Sequence, residues 1–373
     1  MRLLDRYLLR ELVTPLGYCL GGFLIFWISF DLISSLDEFQ SEKLKPYEIA
    51  QYYAVKLPEL LVVVLPVALL LALLYALTNH ARHHELTAMR AAGLSLLRLC
   101  VPYFGVGLFL SVTLYLLSEH WVPNSADLGE QIRKRHTDKQ TNTVDRQWIR
   151  GLTFQNDRDV RLWRIQAYNV ETGEMREPYV QWTRSDGSRQ ELIAERGLRT
   201  NGVWTFYNVR QSTPASSPDA LVLWQHTNEL AVAEFSETPE RIKSEIKISK
   251  LDVESFRSVR KAQLSIREIL EYKRLHPGGT GKNAMLDTKL HGRLAAPWTC
   301  LVVVLIAIPF GAPSGRRNLF VGVASSILIC FAYFVLQQLS LALGTRGMPP
   351  VLAAWLPNVV VGSAGFLFAL RVR

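Results

Sequence analysis

The sequence predicts a polytopic α-helical membrane protein with six transmembrane helices, three before and three after an inserted all-β domain. Two observations carry this prediction: the 373-residue chain holds six long apolar runs, and a polar stretch separates the third run from the fourth. The polar stretch is about 170 residues long, far more than a connecting loop needs. An even number of crossings places both chain termini on the same side of the membrane.

Each apolar run continues for roughly 19 to 28 residues without Asp, Glu, Lys, Arg or His, and about 20 residues are enough for a helix to cross the hydrocarbon. The runs are Leu12–Phe30, Leu60–Asn79, Leu99–Ser118, Leu294–Gly315, Asn318–Thr345 and Gly347–Leu370. The first run exceeds a typical signal-peptide core and lacks a clean small-residue cleavage site, so we expect it to be retained.

The distribution of positive charge predicts the orientation. One set of flanks and short loops is rich in arginine: Arg2, Arg6, Arg10, Arg82, Arg90, Arg98, Arg316, Arg317, Arg371 and Arg373. The connections on the other side, 31–59 and 345–350, carry less positive excess. By the positive-inside rule, both termini are cytoplasmic and the polar insert lies in the opposite compartment. Topology explains much of the net charge of +9, and we expect no nucleic-acid partner because no such motif is present.

We divide the chain into a membrane half at 1–118, a β-domain at 119–262, a helix and linker at 263–290 and a second membrane half at 291–373. Short segments rich in aromatic and β-branched residues, separated by turn signals, predict an all-β sandwich or jelly roll. The predicted strands are Val160–Tyr168, Tyr179–Thr183, Gln190–Glu195, Val203–Val209, Leu221–Gln225 and Asn228–Phe235, and the turns are Thr172-Gly173, Asp186-Gly187 and Asn201-Gly202. A capping box at Ser265 and Glu268 predicts a helix over 265–276.

No catalytic or metal-binding set is predicted. The string Gly278–Asn283 is similar to a phosphate-binding loop, but His276 replaces its first glycine and Asn283 its final Ser or Thr, so we interpret it as a linker. The histidines His80, His83 and His84 lack further ligands at metal spacing and are interpreted as solvated residues at a membrane edge. The cysteines, Cys19, Cys100, Cys300 and Cys330, lie in or beside apolar runs and leave the insert without disulfides.

The loop between the second and third runs has helical character over 82–93. Leu86 and Met89 share one face, Glu85 and Arg90 could offer charges to a partner, and Gly93 suits the end of a helix. Periodicity alone is compatible with either a docking segment or a loop that only sets topology. The last four apolar runs contain no ionisable residue, which argues against ion-coupled transport, so any transport would take its energy from elsewhere.

Five strings, found in order along the chain, resemble the lipopolysaccharide-export permease family, the F and G subunits of the Lpt exporter (YjgP/YjgQ family). They are Leu4–Glu11, Leu57–Leu60 with Pro66, Glu85–Gly93, Leu290–Pro297 and Ala353–Asn358. The resemblance implies a permease half of an ABC transporter that pairs with a second F- or G-type permease, as a heterodimer or homodimer. Such a permease would extract lipopolysaccharide or a related glycolipid from the bacterial inner membrane, and its periplasmic jelly roll would pass the lipid to a bridge of similar domains.

The resemblance also implies roles for particular residues. An ABC ATPase dimer, which uses ATP and Mg²⁺ while this chain binds neither, would dock on Glu85, Leu86, Ala88, Met89, Arg90, Ala91 and Gly93. The first and fifth spans would form a lipid cavity and lateral gate with Phe30, Asp31, Ser34, Phe39, Glu59, Tyr333, Leu336 and Gln337. Some members carry basic residues at the outer end of the first span, where this chain has Asp31, Asp37 and Glu38.

Two other classes of function remain open at this stage. A membrane-anchored receptor or scaffold would use the β-domain to bind an envelope partner and would not need an ATPase dock. A membrane enzyme is disfavoured, because no nucleophile, base and metal set converges in or beside the spans.

Overall fold

The computed structural model describes residues 3–134, 148–183, 189–212, 224–249, 264–276, 282–311, 319–345 and 347–371. The chain forms two compact units. The helical unit comprises Met1–His136 with Ala284–Arg373, and the β unit comprises Thr137–Asn283. The Asp186-Gly187 turn, residues 221–223 of one predicted strand, the glycines of the 278–283 string and the arginines Arg2, Arg316, Arg317 and Arg373 lie outside the described residues.

The described helical unit is built from long apolar helices joined by short ones. Its first part contains α1 (Leu3–Ser34), α2 (Leu36–Ser41), α3 (Pro46–Arg82), α4 (Glu85–Ala91), α5 (Leu96–Leu116) and α6 (Val122–Lys134), with a π-helical turn at Leu117–Trp121. Its second part contains α9 (Asn283–Ala295), a 3₁₀ turn at Ala296–Trp298, α10 (Thr299–Gly311), α11 (Leu319–Gly344) and α12 (Pro350–Arg371). In sequence, the β unit separates the two parts and contributes the helices α7 (Pro239–Ser249) and α8 (Ile266–Leu275).

Six of these helical stretches are long and apolar enough to cross a membrane, which confirms the predicted three-plus-three arrangement. They are Leu3–Ser34, Pro46–Arg82, Arg98–Ser125, Asn283–Gly311, Ile327–Gly344 and Pro350–Phe368. Several extend well past their apolar runs. The 37 residues of α3 reach about 55 Å at 1.5 Å per residue, longer than the hydrocarbon is thick.

Helical structure continues beyond Ser118, where we place the end of the first membrane half. The chain passes from α5 through the π-helical turn into α6, which ends at Lys134. Helix α6 is amphipathic and has 13 residues, and Val122 and Ile132 on it are buried. Helix α6 packs closely against α3: a Cβ atom added at Gly129 would lie 3.4 Å from the ring of Tyr52.

Two central helices, α3 and α10, form much of the core of the helical unit. Ala68, Leu69 and Leu73 of α3 and Val303 and Ala307 of α10 have no exposed surface. Their neighbours in the same apolar cluster come from α1 and α5. A helix that is apolar on all sides is typical of a buried position in a bundle.

The β unit contains seven strands of one antiparallel sheet: β1 (Trp148–Asn156), β2 (Arg161–Asn169), β3 (Met175–Thr183), β4 (Arg189–Ile193), β5 (Arg196–Thr200), β6 (Val203–Ser212) and β7 (Trp224–Val232). Neighbours in sequence pair throughout, except that β4 and β5 both lie between β3 and β6. These two short strands act as one interrupted strand, broken at Ala194 and Glu195. The inserted β domain is therefore confirmed, although it is not all-β, because it also carries helices.

The sheet is strongly curved around an aromatic core. In a flat sheet, β2 and β6 would lie about 14 Å apart, because three inter-strand spacings separate them. The rings of Trp163 on β2 and Trp204 on β6 are nevertheless only 6.2 Å apart. Phe235, which follows β7, packs edge-on against Trp163 at 5.2 Å and also contacts Trp182 and Phe206. Curvature thus brings side chains from distant strands into one cluster.

Two helices belong to the β unit. Helix α7 (Pro239–Ser249), which we do not predict from the sequence, contributes Ile242 and Ile246 to the aromatic cluster. Helix α8 (Ile266–Leu275) confirms the predicted helix at 265–276. Its capping box is formed as expected: Ser265 Oγ accepts the N–H of Glu268, and the Glu268 carboxylate accepts the N–H of Ser265.

Candidate coupling site

Helix α4 is the short helix predicted between the second and third spans. Its sequence, ELTAMRA, contains good helix formers. Bends in the backbone separate α4 from α3 and α5, because His84 before it and Gly93 after it have positive φ angles of 57° and 87°. Glycine adopts such an angle without the steric cost that a Cβ imposes.

One face of α4 packs on the helical unit and the other is exposed. Leu86 is buried in the same apolar cluster as Leu8 of α1 and Leu99 of α5, and Met89 packs against that cluster. Ala88 and Ala91 are exposed, as is Gly93 just beyond the helix. The helix therefore presents small side chains outward while a leucine anchors it.

The Glu85 carboxylate at the start of α4 is held from inside the helical unit. The Tyr7 hydroxyl of α1 donates to both of its oxygens, at 3.0 and 3.2 Å, and His80 Nδ1 of α3 lies 2.7 Å from Oε2. Burial raises the pKa of Glu85, but the hydrogen bonds from His80 and Tyr7 outweigh it and lower that pKa below its usual value. The carboxylate is therefore ionised at neutral pH, and 34% of the side chain remains exposed.

His80 does not fit its interpretation as a solvated residue, because its side chain has no exposed surface. His83 and His84 are exposed, as expected. The sequence indicates why His80 is buried while His83 and His84 are exposed. His80 follows buried Leu73, Ala76 and Leu77 of α3 at spacings of seven, four and three. That spacing places His80 on the buried face of the helix.

An ion pair joins the start of α1 to the start of α5 at the same end of the helical unit. Arg98 Nη2 donates to Asp5 Oδ2 at 3.1 Å. Together with the Tyr7–Glu85 bond, this contact brings the first turns of α1, the last turn of α3, all of α4 and the first turn of α5 into one cluster. The coupling site is defined here as Tyr7, His80 and Glu85.

At the other end of α1, two of the acidic residues that set this chain apart from some family members, Asp31 and Glu38, are paired. Asp31 accepts hydrogen bonds from Tyr53 at 3.0 Å and Lys56 at 3.2 Å. Glu38 and Glu42 both accept hydrogen bonds from Arg133 of α6, at 2.8 and 2.9 Å. Much of the negative charge expected at this end is thus offset within the chain by Lys56 and by Arg133, and Arg133 lies more than 90 positions from both glutamates.

The residues expected to line a lipid cavity are distributed between surface and interior. Phe30 is 63% exposed, and Ser34 is also exposed. Glu59, Leu336 and Gln337 are half-buried, as is Asp31. Phe39 is 2% exposed and packs edge-on against Tyr52 and Tyr53.

Tyr333 is also an interior residue, with 1% of its surface exposed. Its hydroxyl donates to Asn358 Oδ1 of α12 at 2.5 Å and lies 2.9 Å from Thr299 Oγ1 of α10. Asn358 in turn donates to the carbonyl of Ala295 at 2.8 Å. This buried network joins α10, α11 and α12. Tyr333 and Phe39 are both interior residues of the described helical unit.

Among the residues that the structure describes, no group of three or more His, Cys, Asp or Glu side chains could hold a metal ion. In the described part of the helical unit, α4 is short and partly exposed. Leu86 and the hydrogen-bonded carboxylate of Glu85 attach it to α1, α3 and α5. Such an arrangement can pass a mechanical displacement from a bound partner to the long helices.

Comparison with curated proteins finds no match. A family model described as lipopolysaccharide export system permease LptF/LptG matches residues 6–371. The match spans nearly the whole chain, including the six apolar helices, α4 and the inserted β unit. The chain therefore belongs to the LptF/LptG family of lipopolysaccharide export permeases and is a transporter subunit rather than an enzyme.

Proposed function

We propose that this chain is one permease half of an ABC transporter that extracts lipopolysaccharide, or a related glycolipid, from the outer leaflet of the bacterial inner membrane. A second F- or G-type permease completes the membrane part, as a heterodimer or homodimer. A cytoplasmic ATPase dimer supplies the energy and uses ATP and Mg²⁺. The β unit lies in the periplasm and passes the lipid to a bridge of similar domains.

The observation that carries this proposal is the construction of α4. Leu86 and Glu85 fix the helix to the ends of long helices, while Ala88 and Ala91 face outward without bulk or charge. A partner can approach such a surface closely, and a push on it acts on α1 and α3. A scaffold that only anchors the β unit does not need an exposed helix attached to the spans in this way.

Charge distribution supports the proposed orientation. The Tyr7–Glu85 and Asp5–Arg98 contacts bring together helix ends at one end of the helical unit. These helix ends carry Arg6, Arg10, Arg82, Arg90 and Arg98. The other end carries the acidic cluster paired with Lys56 and Arg133. By the positive-inside rule, the α4 end is cytoplasmic, where an ATPase is located.

The edges of the described sheet support transfer to a bridge. Among the described strands, β1 pairs only with β2 and β7 only with β6. Most of β7 is exposed along its length. Edge strands with unpaired backbone groups are templates for strand addition by another sheet.

The test is co-purification of the full-length chain with its ABC ATPase after substitution of the exposed face of α4. Ala91→Glu places a bulky charge on the proposed dock without touching Tyr7, His80 or Leu86, and we expect it to abolish ATPase binding. Ala54→Glu is the matched control, because Ala54 is exposed toward the other end of α3. Glu85→Lys should also abolish binding, but it disrupts the internal bonds as well.

Two outcomes would count against the proposal. Retention of the ATPase by Ala91→Glu, at the level of the Ala54→Glu control, would exclude α4 as the dock. A wild-type chain that supports lipopolysaccharide export without any associated ATPase would favour the scaffold function instead.

A further inference from the structure

We propose that Tyr7 and His80 are positioning residues that carry the movement of α4 to α1 and α3 through the carboxylate of Glu85. This inference rests on the proposed function, because it names the route by which an ATPase bound to α4 would act on the spans. The site residues expected from the sequence include Glu85 but neither Tyr7 nor His80.

The three residues contact one another pairwise and form a closed triangle. Tyr7 and His80 each bond to Glu85, and the rings of Tyr7 and His80 lie 5.7 Å apart, tilted by 54°. A triangle fixes the relative position of its three corners, whereas a single bond allows rotation about it. Each corner belongs to a different helix, so α1, α3 and α4 are linked at one point.

Chemistry makes the link strong. The Glu85 carboxylate is an ionised acceptor, and hydrogen bonds to ionised groups are roughly twice as strong as neutral ones. His80 is wholly buried, so its ring has little freedom to turn away. Its second nitrogen, Nε2, is buried and has no hydrogen-bond partner among the described residues. The imidazole is therefore held in place from the Glu85 side.

Helix α4 needs such a link because Leu86 is the one buried residue among its seven. Helix α4 has seven residues, and residues with positive φ angles flank it on both sides. Among its described side chains, Leu86 is buried, and Glu85, Met89 and Arg90 are half-buried. Without the Glu85 bonds, a displacement of α4 could be absorbed by the bends at His84 and Gly93 instead of reaching the long helices.

Glu85 can also respond to a partner. A carboxylate has about four lone-pair sites, and Tyr7 and His80 supply two donors here, with the single Tyr7 hydroxyl shared between both oxygens. Since 34% of the side chain is exposed, a cation on the ATPase could approach from outside. Competition between outside and inside donors would couple nucleotide-dependent docking to the positions of α1 and α3, which is a coupling free energy in the thermodynamic sense.

The test uses the assembled transporter, with the full-length chain, its partner permease and the ATPase, in lipid nanodiscs with added lipopolysaccharide as the probe. The measured quantity is the ratio of ATPase activity with lipopolysaccharide to activity without it. Tyr7→Phe removes one hydroxyl, and His80→Leu removes the imidazole donor. Tyr18→Phe is the matched control, because Tyr18 is an exposed tyrosine of the same helix.

We expect Tyr7→Phe and His80→Leu to reduce the stimulation ratio by about fivefold or more, the range typical of coupling between two sites. His80→Asn should restore much of the ratio, because the asparagine amide can donate from the position of Nδ1. Tyr18→Phe should match the wild type. Wild-type stimulation in both Tyr7→Phe and His80→Leu would overturn the inference, whereas an unstimulated wild-type complex would instead count against the proposed function.

Hydrogen exchange provides a readout that a purely structural role would not change, and it remains informative if the ATPase assay is lost. In wild-type transporter, we expect an ATP analogue to change protection both in α4 and in residues 3–12 of α1. In Tyr7→Phe, the change in α4 should remain while the change in residues 3–12 disappears. A response in residues 3–12 equal to that of wild type would overturn the inference.

Discussion

His276 Nδ1 lies 2.7 Å from Asp157 Oδ2, a contact between residues 119 positions apart. The other ring nitrogen, Nε2, lies 3.2 Å from Glu245 Oε2. The end of α8 is thereby tied both to the turn after β1 and to α7. Burial lowers the pKa of His276, but bonds to Glu245 and Asp157 outweigh it and raise that pKa above its usual value. Two carboxylates stabilise the charged imidazole.

This arrangement predicts a pH-dependent stability of the β unit. A raised pKa in the folded state stabilises the fold fully below the pKa of an unfolded histidine, about 6.5. The contribution is lost as the pH rises through the folded-state value. We therefore expect His276→Gln to lower the free energy of unfolding most at about pH 5.5, with the deficit shrinking at higher pH.

The measurement is urea unfolding of the full-length chain in detergent, followed by tryptophan fluorescence across this pH range. Lys282 also interacts with Glu245. His226→Gln is the matched control, because His226 is exposed on β7. A deficit for His276→Gln that stays constant with pH would contradict the assignment of a charged imidazole.

A buried ion pair predicts a large effect of a small substitution. Arg161 Nη1 lies 2.6 Å from Glu237 Oε2, and Glu237 has no exposed surface. Asn156 also donates to this carboxylate, at 2.7 Å. Glu237→Gln keeps the shape but removes the nearer of the two carboxylates beside the buried guanidinium, and leaves only Asp159, whose Oδ2 lies 3.8 Å from Arg161 Nη1. We therefore expect a loss of about 3 kcal/mol in the free energy of unfolding.

The same urea measurement checks this prediction, with Glu174→Gln as the control. Glu174 pairs with Arg196, whose side chain is half exposed, and exposed pairs contribute about 0–1 kcal/mol. Similar losses in the two variants would show that burial does not govern the strength of these pairs.

Local signals in the sequence predict part of the β unit well. The Asn201-Gly202 turn lies between β5 and β6, and the strand predicted at Val203–Val209 is the first part of β6. Strand β1 and helix α7 escape prediction for a physical reason. Gly151 interrupts the alternation in β1, and α7 is short and mostly polar, so only its contact with the aromatic cluster explains its position.

The turn itself gives a further prediction. Asn201 and Gly202 have φ angles of 53° and 83°, the pattern of the two-residue turn that suits the twist of a hairpin. Gly202→Ala forces an alanine into this conformation, so we expect it to destabilise the β unit by about 1 kcal/mol. Asn201→Gly should be close to neutral, because glycine adopts positive φ freely. Equal effects in urea unfolding would show that the turn does not restrict the backbone.

The coupling site is only partly predictable from sequence. Helix α4 follows from local composition, but its bond to Tyr7 joins residues 78 positions apart and depends on how α1 packs. Hydropathy also fails to separate interior from lipid-facing residues, because both are apolar inside a membrane. Tyr333 and Phe331 illustrate this: the two residues lie two positions apart on α11, yet one is buried and the other exposed.

That difference leads to a prediction about which residues meet lipid. A photo-reactive phenylalanine analogue at Phe30, 63% exposed, or at Phe331, 66% exposed, should cross-link to lipopolysaccharide or to other lipids in cells. The same analogue at Phe39 or Tyr333 should not, because neighbouring side chains enclose both positions. Phe331 and Tyr333 lie two positions apart on one span, so their depth in the membrane is roughly matched. Membrane levels of each variant show whether the buried substitutions are tolerated. Efficient lipid labelling from Tyr333 in a well-folded variant would mean that the network with Thr299 and Asn358 opens during transport.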